Sequence, residues 1–91
     1  MLSNTRRVMD NIAALLRTEG LTFNHIVKTT IFLTNLGDFQ TVNEIHGLYF
    51  KKDPPARSTV QVSALPRGAN VEIEVIAAAA ETDQTAYDTS G

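Results

Sequence analysis

Between Ile26 and Ser63 the apolar pattern switches from strand-like to helical and back to strand-like, and no other feature restricts the possible folds so tightly. Ile26-Val27-Lys28-Thr29-Thr30-Ile31-Phe32-Leu33 is dense in β-branched residues, with apolar side chains on both alternating faces. It reads as a central strand covered, at least in part, on both sides. Asn35 to Asp38 supplies turn and cap chemistry, after which Phe39, Val42, Ile45, His46, Tyr49 and Phe50 share one helical stripe. Lys51-Lys52-Asp53-Pro54-Pro55 stops that helix, because proline lacks an amide donor and drives its predecessor out of helical geometry. Ser58 to Ser63 then alternates polar and apolar residues. Strand, helix and strand in this order make a crossover unit that joins parallel neighbours, and such units are right-handed.

The flanks extend this unit. From Thr5 to Glu19, Val8, Ile12, Leu15 and Leu16 recur at helical spacing, and Gly20 follows where a helix can end in the left-handed conformation. Gly47 inside the second helix costs about 1 kcal/mol relative to Ala, which a close approach to another backbone would offset. Beyond Pro66-Arg67-Gly68-Ala69, Val71-Glu72-Ile73-Glu74-Val75-Ile76-Ala77 alternates as a strand. The order helix, strand, helix, strand, strand predicts an open α+β layer over residues 1–80. Residues 81–91 are acidic and poor in large apolar groups, which predicts a flexible tail. A helix such as the first ordinarily packs on a sheet that begins upstream. The chain therefore reads as if it starts late.

Composition narrows the classes of function. A chain of 91 residues holds one core and one domain. It has no cysteine, so disulfides, thiolate metal sites and cysteine nucleophiles are excluded, and a reducing cytoplasm fits. No apolar run reaches the roughly 18 to 20 residues that span a bilayer, and no signal-peptide core follows Met1, so no membrane partner is expected. The net charge is −2, and the basic residues cluster no further than the pairs Arg6-Arg7 and Lys51-Lys52. Nucleic-acid binding, which needs a basic stripe to release counterions, is disfavoured.

Few residues carry the grouping that chemistry needs. Arg57 follows the rigid Pro54-Pro55-Ala56 segment, where its guanidinium fork could bind a carboxylate through two parallel hydrogen bonds. The alternative is a solvated loop arginine, and spacing alone leans that way. Glu72 and Glu74 share one strand face, where mutual repulsion can tune a carboxylate toward general-base work, although such pairs are more often the wet face of a strand. His25 and His46 have no acid or thiol at metal-ligand or triad spacing and read as structural. No Walker motif and no GxGxxG is present.

The strings Pro55-Ala56-Arg57-Ser58-Thr59-Val60-Gln61-Val62, Leu65-Pro66 and Val71-Glu72-Ile73-Glu74-Val75-Ile76-Ala77 together closely resemble the RidA/YjgF reactive-intermediate deaminase family. The helix ending at Gly20-Leu21, the strand Ile26 to Leu33 and Asp38-Phe39-Gln40-Thr41-Val42-Asn43 agree with it. The resemblance implies a chorismate-mutase-like mixed sheet with two helices on one face, N-terminal strands that are missing here so that the strand from Val71 to Ala78 lacks one neighbour, and homotrimers with sites between subunits. It implies hydrolysis of reactive 2-imino or enamine acids to 2-keto acids and ammonia, with no metal and no cofactor. Carried over by position, Arg57 grips the substrate carboxylate, Glu72 activates the attacking water, and Asn43 and Thr59 line the pocket. Thr59 stands where many members have Cys. If the last two strands run antiparallel, their starts, and so Arg57 and Glu72, lie roughly 20 Å apart, which calls for sites shared between subunits. A non-catalytic trimer that binds or senses small carboxylates is the alternative; RNA cleavage or translation inhibition is less favoured by the acidic charge.

Overall fold

The computed structural model describes residues 2–50, 53–80 and 83–90. Helix α1, Leu2–Thr18, buries Thr5, Val8, Met9, Ile12 and Leu16 and leaves Leu15 exposed. The buried stripe thus lies one position from the expected one, with Met9 inside and Leu15 outside. α1 ends as Gly20 enters the left-handed region at φ 72°, and the Leu21 amide donates back to the Leu16 carbonyl at 2.9 Å. That bond closes a six-residue loop over the helix end, the geometry that glycine permits there.

Strand β1 runs Ile26–Leu33. The turn after it is held by Asn35, whose side chain accepts from the Gly37 amide at 2.9 Å. Helix α2, Phe39–Leu48, buries Val42, Ile45 and His46 but leaves Phe39 largely exposed. Strand β2 is Ala56–Gln61, starting two residues earlier than the alternation suggested, and β3 is Val71–Ala80. β2 pairs parallel to β1, as the crossover requires, and β3 pairs antiparallel to β1 on the other side.

A fourth strand, β4 at Asp83–Ser90, lies antiparallel along the far edge of β3. Two sequence expectations fail here: the flexible tail over 81–91, and an uncovered edge on β3. Residues 81, 82 and 91 lie outside the described residues. The physical reason is the edge itself, whose unpaired amides and carbonyls bind any extended segment within reach. On the helix-facing side, Tyr87 is part of the packing around the core, and the Thr89 hydroxyl donates to the Val8 carbonyl of α1 at 3.0 Å. Composition alone reads this segment as tail because its strand state depends on a partner far away in sequence.

The sheet order is therefore β2-β1-β3-β4, with both helices on one face. Val8, Met9, Ile12, Leu16, Ile31, Leu33, Val42, Ile73 and Val75 form the core between the layers. Tyr49 ties the helices together by donating to Asp10 at 3.0 Å, and burial first, then that bond, push its phenol pKa up. The opposite face of the sheet is open: Phe32 and Ile76 are half-buried and Val60 is exposed. β1 is thus covered on one face within the chain, not on two. Among the described residues, no helix is long and apolar enough to cross a membrane.

Candidate functional site

Arg57 is the second residue of β2, register-paired with Thr29 of β1, and both side chains lie on the helix-covered face. Because β2 is an edge strand, that face opens at its rim into a cleft of about 470 Å³ lined by Asn43, His46, Gly47, Phe50, Pro54, Pro55 and Arg57. The two prolines fix the backbone where the chain enters β2, so the guanidinium starts from a rigid platform. One of its terminal nitrogens lies 3.3 Å from His46 Nδ1. The other ring nitrogen of His46, Nε2, lies 3.2 Å from the buried Thr29 hydroxyl. Phe50 stacks obliquely on the imidazole, with ring centroids 4.6 Å apart.

Asn43 projects from α2 one turn before His46. Its Oδ1 is buried and has no hydrogen-bond partner among the described residues. A buried acceptor left unpaired costs free energy that a bound donor would recover. Cleft, guanidinium and orphan acceptor thus coincide. A groove of similar size, about 430 Å³, lies between the start of α1 and the turn at Pro66–Gly68, and its two arginines, Arg7 and Arg67, are exposed.

His46 is the residue that sequence reasoning missed. Its place on the buried stripe was legible, but its two polar partners come from β1 and β2 and only the packed fold reveals them. Burial first, and then the charge of Arg57, lower its pKa from 6.5 to about 4. His25 keeps its structural reading: its Nδ1 accepts from the Thr22 amide at 3.0 Å in a capping box. The close backbone approach expected at Gly47 is absent among the described residues, where a Cβ at that position would meet nothing within 4 Å. Gly47 instead lines the cleft.

The remaining expected site residues fall elsewhere. Thr59 shares the face of Arg57, two residues further along β2, but is not among the residues that line the cleft. Glu72 lies on the open face, opposite Phe32 of β1 and Ser90 of β4, beside the cross-strand pair Glu74 and Asp88. Desolvation, then the charges of Asp88 and Glu74, raise its carboxyl pKa. Arg57 and Glu72 are therefore separated by the thickness of the sheet within one chain. Among the described residues no group of His, Cys, Asp and Glu is placed to hold a metal ion.

The sequence profile described as "Endoribonuclease L-PSP" matches residues 1–79. Protein DfrA of Myxococcus xanthus is 58% identical over 77 residues, covering 85% of this chain and 59% of that protein. The 2-iminobutanoate/2-iminopropanoate deaminase of Mus musculus is 46% identical over 77 residues, covering 85% of this chain and 57% of that protein. Among solved structures, RidA from an Antarctic Psychrobacter superposes with a TM-score of 0.82 at 39% identity, covering 85% of this chain and 63% of that one. The chain thus spans less than two thirds of the length of these relatives, and β4 lies beyond the residues that the profile matches. Profile, sequence identity and superposition agree with the site-bearing strings read above: the chain belongs to the RidA/YjgF family and has its chorismate-mutase-like α+β fold.

Proposed function

We propose that this chain deaminates reactive 2-imino and enamine acids hydrolytically, without a cofactor, in sites shared between the subunits of a homotrimer. The observation that carries the reading is Arg57 on the rim of a cleft that also holds an unpaired acceptor, Asn43 Oδ1. A 2-imino acid offers both complements. Its carboxylate fits the guanidinium fork, and its protonated imine nitrogen carries N–H donors suited to Asn43. Relatives named 2-iminobutanoate/2-iminopropanoate deaminase support the same substrate class.

The chemistry asks little of the protein. Protonation of the imine makes its carbon electrophilic, so water adds once a base takes its proton. The resulting carbinolamine expels ammonia and leaves the 2-keto acid. Orientation and one carboxylate base are sufficient in principle. We assign the base to Glu72 of a neighbouring subunit, whose raised pKa brings it nearer to neutral pH than an ordinary glutamate. The open sheet face bearing Phe32, Val60 and Glu72 is the surface through which such a neighbour would pack.

A second reading has one observation in its favour. Within a single chain Arg57 and Glu72 cannot meet one substrate, so an unassembled chain would bind small carboxylates without turning them over. RNA cleavage has less support, given a net charge of −2 and a cleft sized for small acids.

The test couples the protein to a pyridoxal-phosphate dehydratase that releases 2-aminoacrylate and follows imine decay. Glu72→Gln is expected to lose turnover while retaining 2-ketobutyrate, a product mimic, and Glu74→Gln to matter much less. A wild type that binds 2-ketobutyrate without accelerating decay would establish the binding reading instead.

A further inference from the structure

His46 exposes 1% of its surface, takes no part in the chemistry above, and still spends both ring nitrogens on polar groups. Arginine has five donors and no acceptor. A guanidinium nitrogen 3.3 Å from Nδ1 can therefore only donate to it, and Nδ1 must carry the lone pair. The ring proton is then on Nε2, which faces the Thr29 hydroxyl at 3.2 Å and donates to it. The tautomer follows from the two partners together. A chain of hydrogen bonds runs from the cleft rim through the imidazole to a buried threonine of the central strand. Thr29 is also the register partner of Arg57, so both ends of this chain are fixed to the same pair of hydrogen-bonded strands.

This arrangement solves a problem specific to Arg57. Its side chain is exposed on an edge strand, and His46 is its hydrogen-bonded side-chain partner among the described residues. Left alone, a long side chain of this kind samples many rotamers and binds a carboxylate poorly. An aspartate or glutamate anchor would order it but would also cancel the charge that the substrate needs. A neutral imidazole acceptor orders one terminal nitrogen and leaves the positive charge and the remaining donors for the ligand. Burial and the charge of Arg57 both favour the neutral ring, so the anchor persists from neutral pH down toward the lowered pKa of about 4.

We propose that His46 is a positioning residue: as the neutral Nε2–H tautomer, fixed by Thr29, it orients Arg57 toward the cleft for carboxylate binding without neutralising it. The proposal rests on the reading of Arg57 as the carboxylate grip. It extends that reading to two residues, His46 and Thr29, and to a defined protonation state.

Nitrogen NMR of the imidazole and of the Arg57 guanidinium tests it without any ligand. The expected spectrum has Nδ1 as the unprotonated ring nitrogen and Nε2 as the protonated one, unchanged from pH 8 to pH 5. In His46→Phe, which keeps the ring and its contact with Phe50 but removes the acceptor, the Arg57 Nε–H should relax as a freely mobile group. His46→Gln retains an acceptor and should hold Arg57 nearly as in the wild type. Thr29→Val preserves shape, and should loosen the imidazole and with it Arg57. Calorimetry with 2-ketobutyrate should then give an affinity weaker by roughly tenfold or more in His46→Phe and within a few-fold of wild type in His46→Gln. A proton on Nδ1, or an Arg57 equally rigid in folded His46→Phe, overturns the proposal. If the wild type binds no 2-ketobutyrate, the carboxylate-grip reading fails instead, and the relaxation of Arg57 still decides whether His46 positions it.

Discussion

Arg57 and Glu72 occupy opposite faces of one sheet, flanking β1: Arg57 is opposite Thr29 on one side, and Glu72 is opposite Phe32 on the other. The two backbones are offset by about 10 Å along β1 and by about 10 Å across it, and the side chains then point apart. β2 and β3 do run antiparallel to each other, but β1 lies between them, so it is the sheet itself more than strand length that separates the residues. No substrate of a few atoms reaches both from one chain. In a closed trimer each site would draw Arg57 from one subunit and Glu72 from the next. Mixing Arg57→Ala and Glu72→Ala subunits at equal ratio should therefore restore about a quarter of the wild-type rate, the share of interfaces that pair two intact residues. Failure to recover activity after proven subunit exchange, with an active wild type, would place both roles in one chain.

The fork geometry of Arg57 leads to a separate expectation. Arg57→Lys keeps the charge but loses the planar pair of donors and the terminal nitrogen that reaches His46 Nδ1. Affinity for 2-ketobutyrate should fall by about 2 to 5 kcal/mol, the usual cost of breaking a charged hydrogen bond in a binding site. Calorimetry at fixed ionic strength measures it. Unchanged affinity would return Arg57 to the role of a solvated side chain.

The crossover over Ile26 to Gln61 was legible because its signals are local: β-branched density, the Asn35 cap and the proline stop each act within a few residues. The phase of α1 was less so. Leu15 and Met9 lie at the two edges of one apolar arc, and the choice between them depends on where the sheet sits. β4 was not legible, because a polar segment such as Asp83–Ser90 becomes a strand only through the edge of β3. The same limit applied at the site. Arg57 and Asn43 stood out by position in a string, whereas the role of His46 exists only once β1, β2 and α2 are packed together.

His46 also links stability to pH. Its folded pKa, about 4, lies below its ordinary 6.5, so the unfolded state binds the extra proton between these values. The folded state loses stability as pH falls through that window, with a total effect on the order of 3 kcal/mol for this one group. Urea unfolding from pH 7 to pH 4 should give a falling midpoint in the wild type. His46→Gln, which cannot be protonated, should remove most of that slope, and a wild-type slope equal to that of the variant would mean that the imidazole is not desolvated.

Glu72 works in the opposite direction, and β4 is part of the cause. Asp88 lies directly across from Glu74 and diagonally from Glu72, placing three carboxylates on one patch of the open face. Desolvation is the largest contribution to the raised pKa of Glu72, followed by the charge of Asp88 and then that of Glu74. A carboxyl with a raised folded pKa is bound to its proton more tightly in the folded state. Its stabilisation is complete below the ordinary value and is lost as pH rises through the folded one, so it partly offsets the slope from His46 in acid. Asp88→Asn removes one of the repelling charges. It should lower the Glu72 pKa in a carboxyl-carbon NMR titration, and raise stability at neutral pH by about 0.2 to 1 kcal/mol, the range for a like-charge cross-strand contact. The titration reports directly on strand pairing, because an Asp88 that did not lie beside β3 would leave the Glu72 curve where it was.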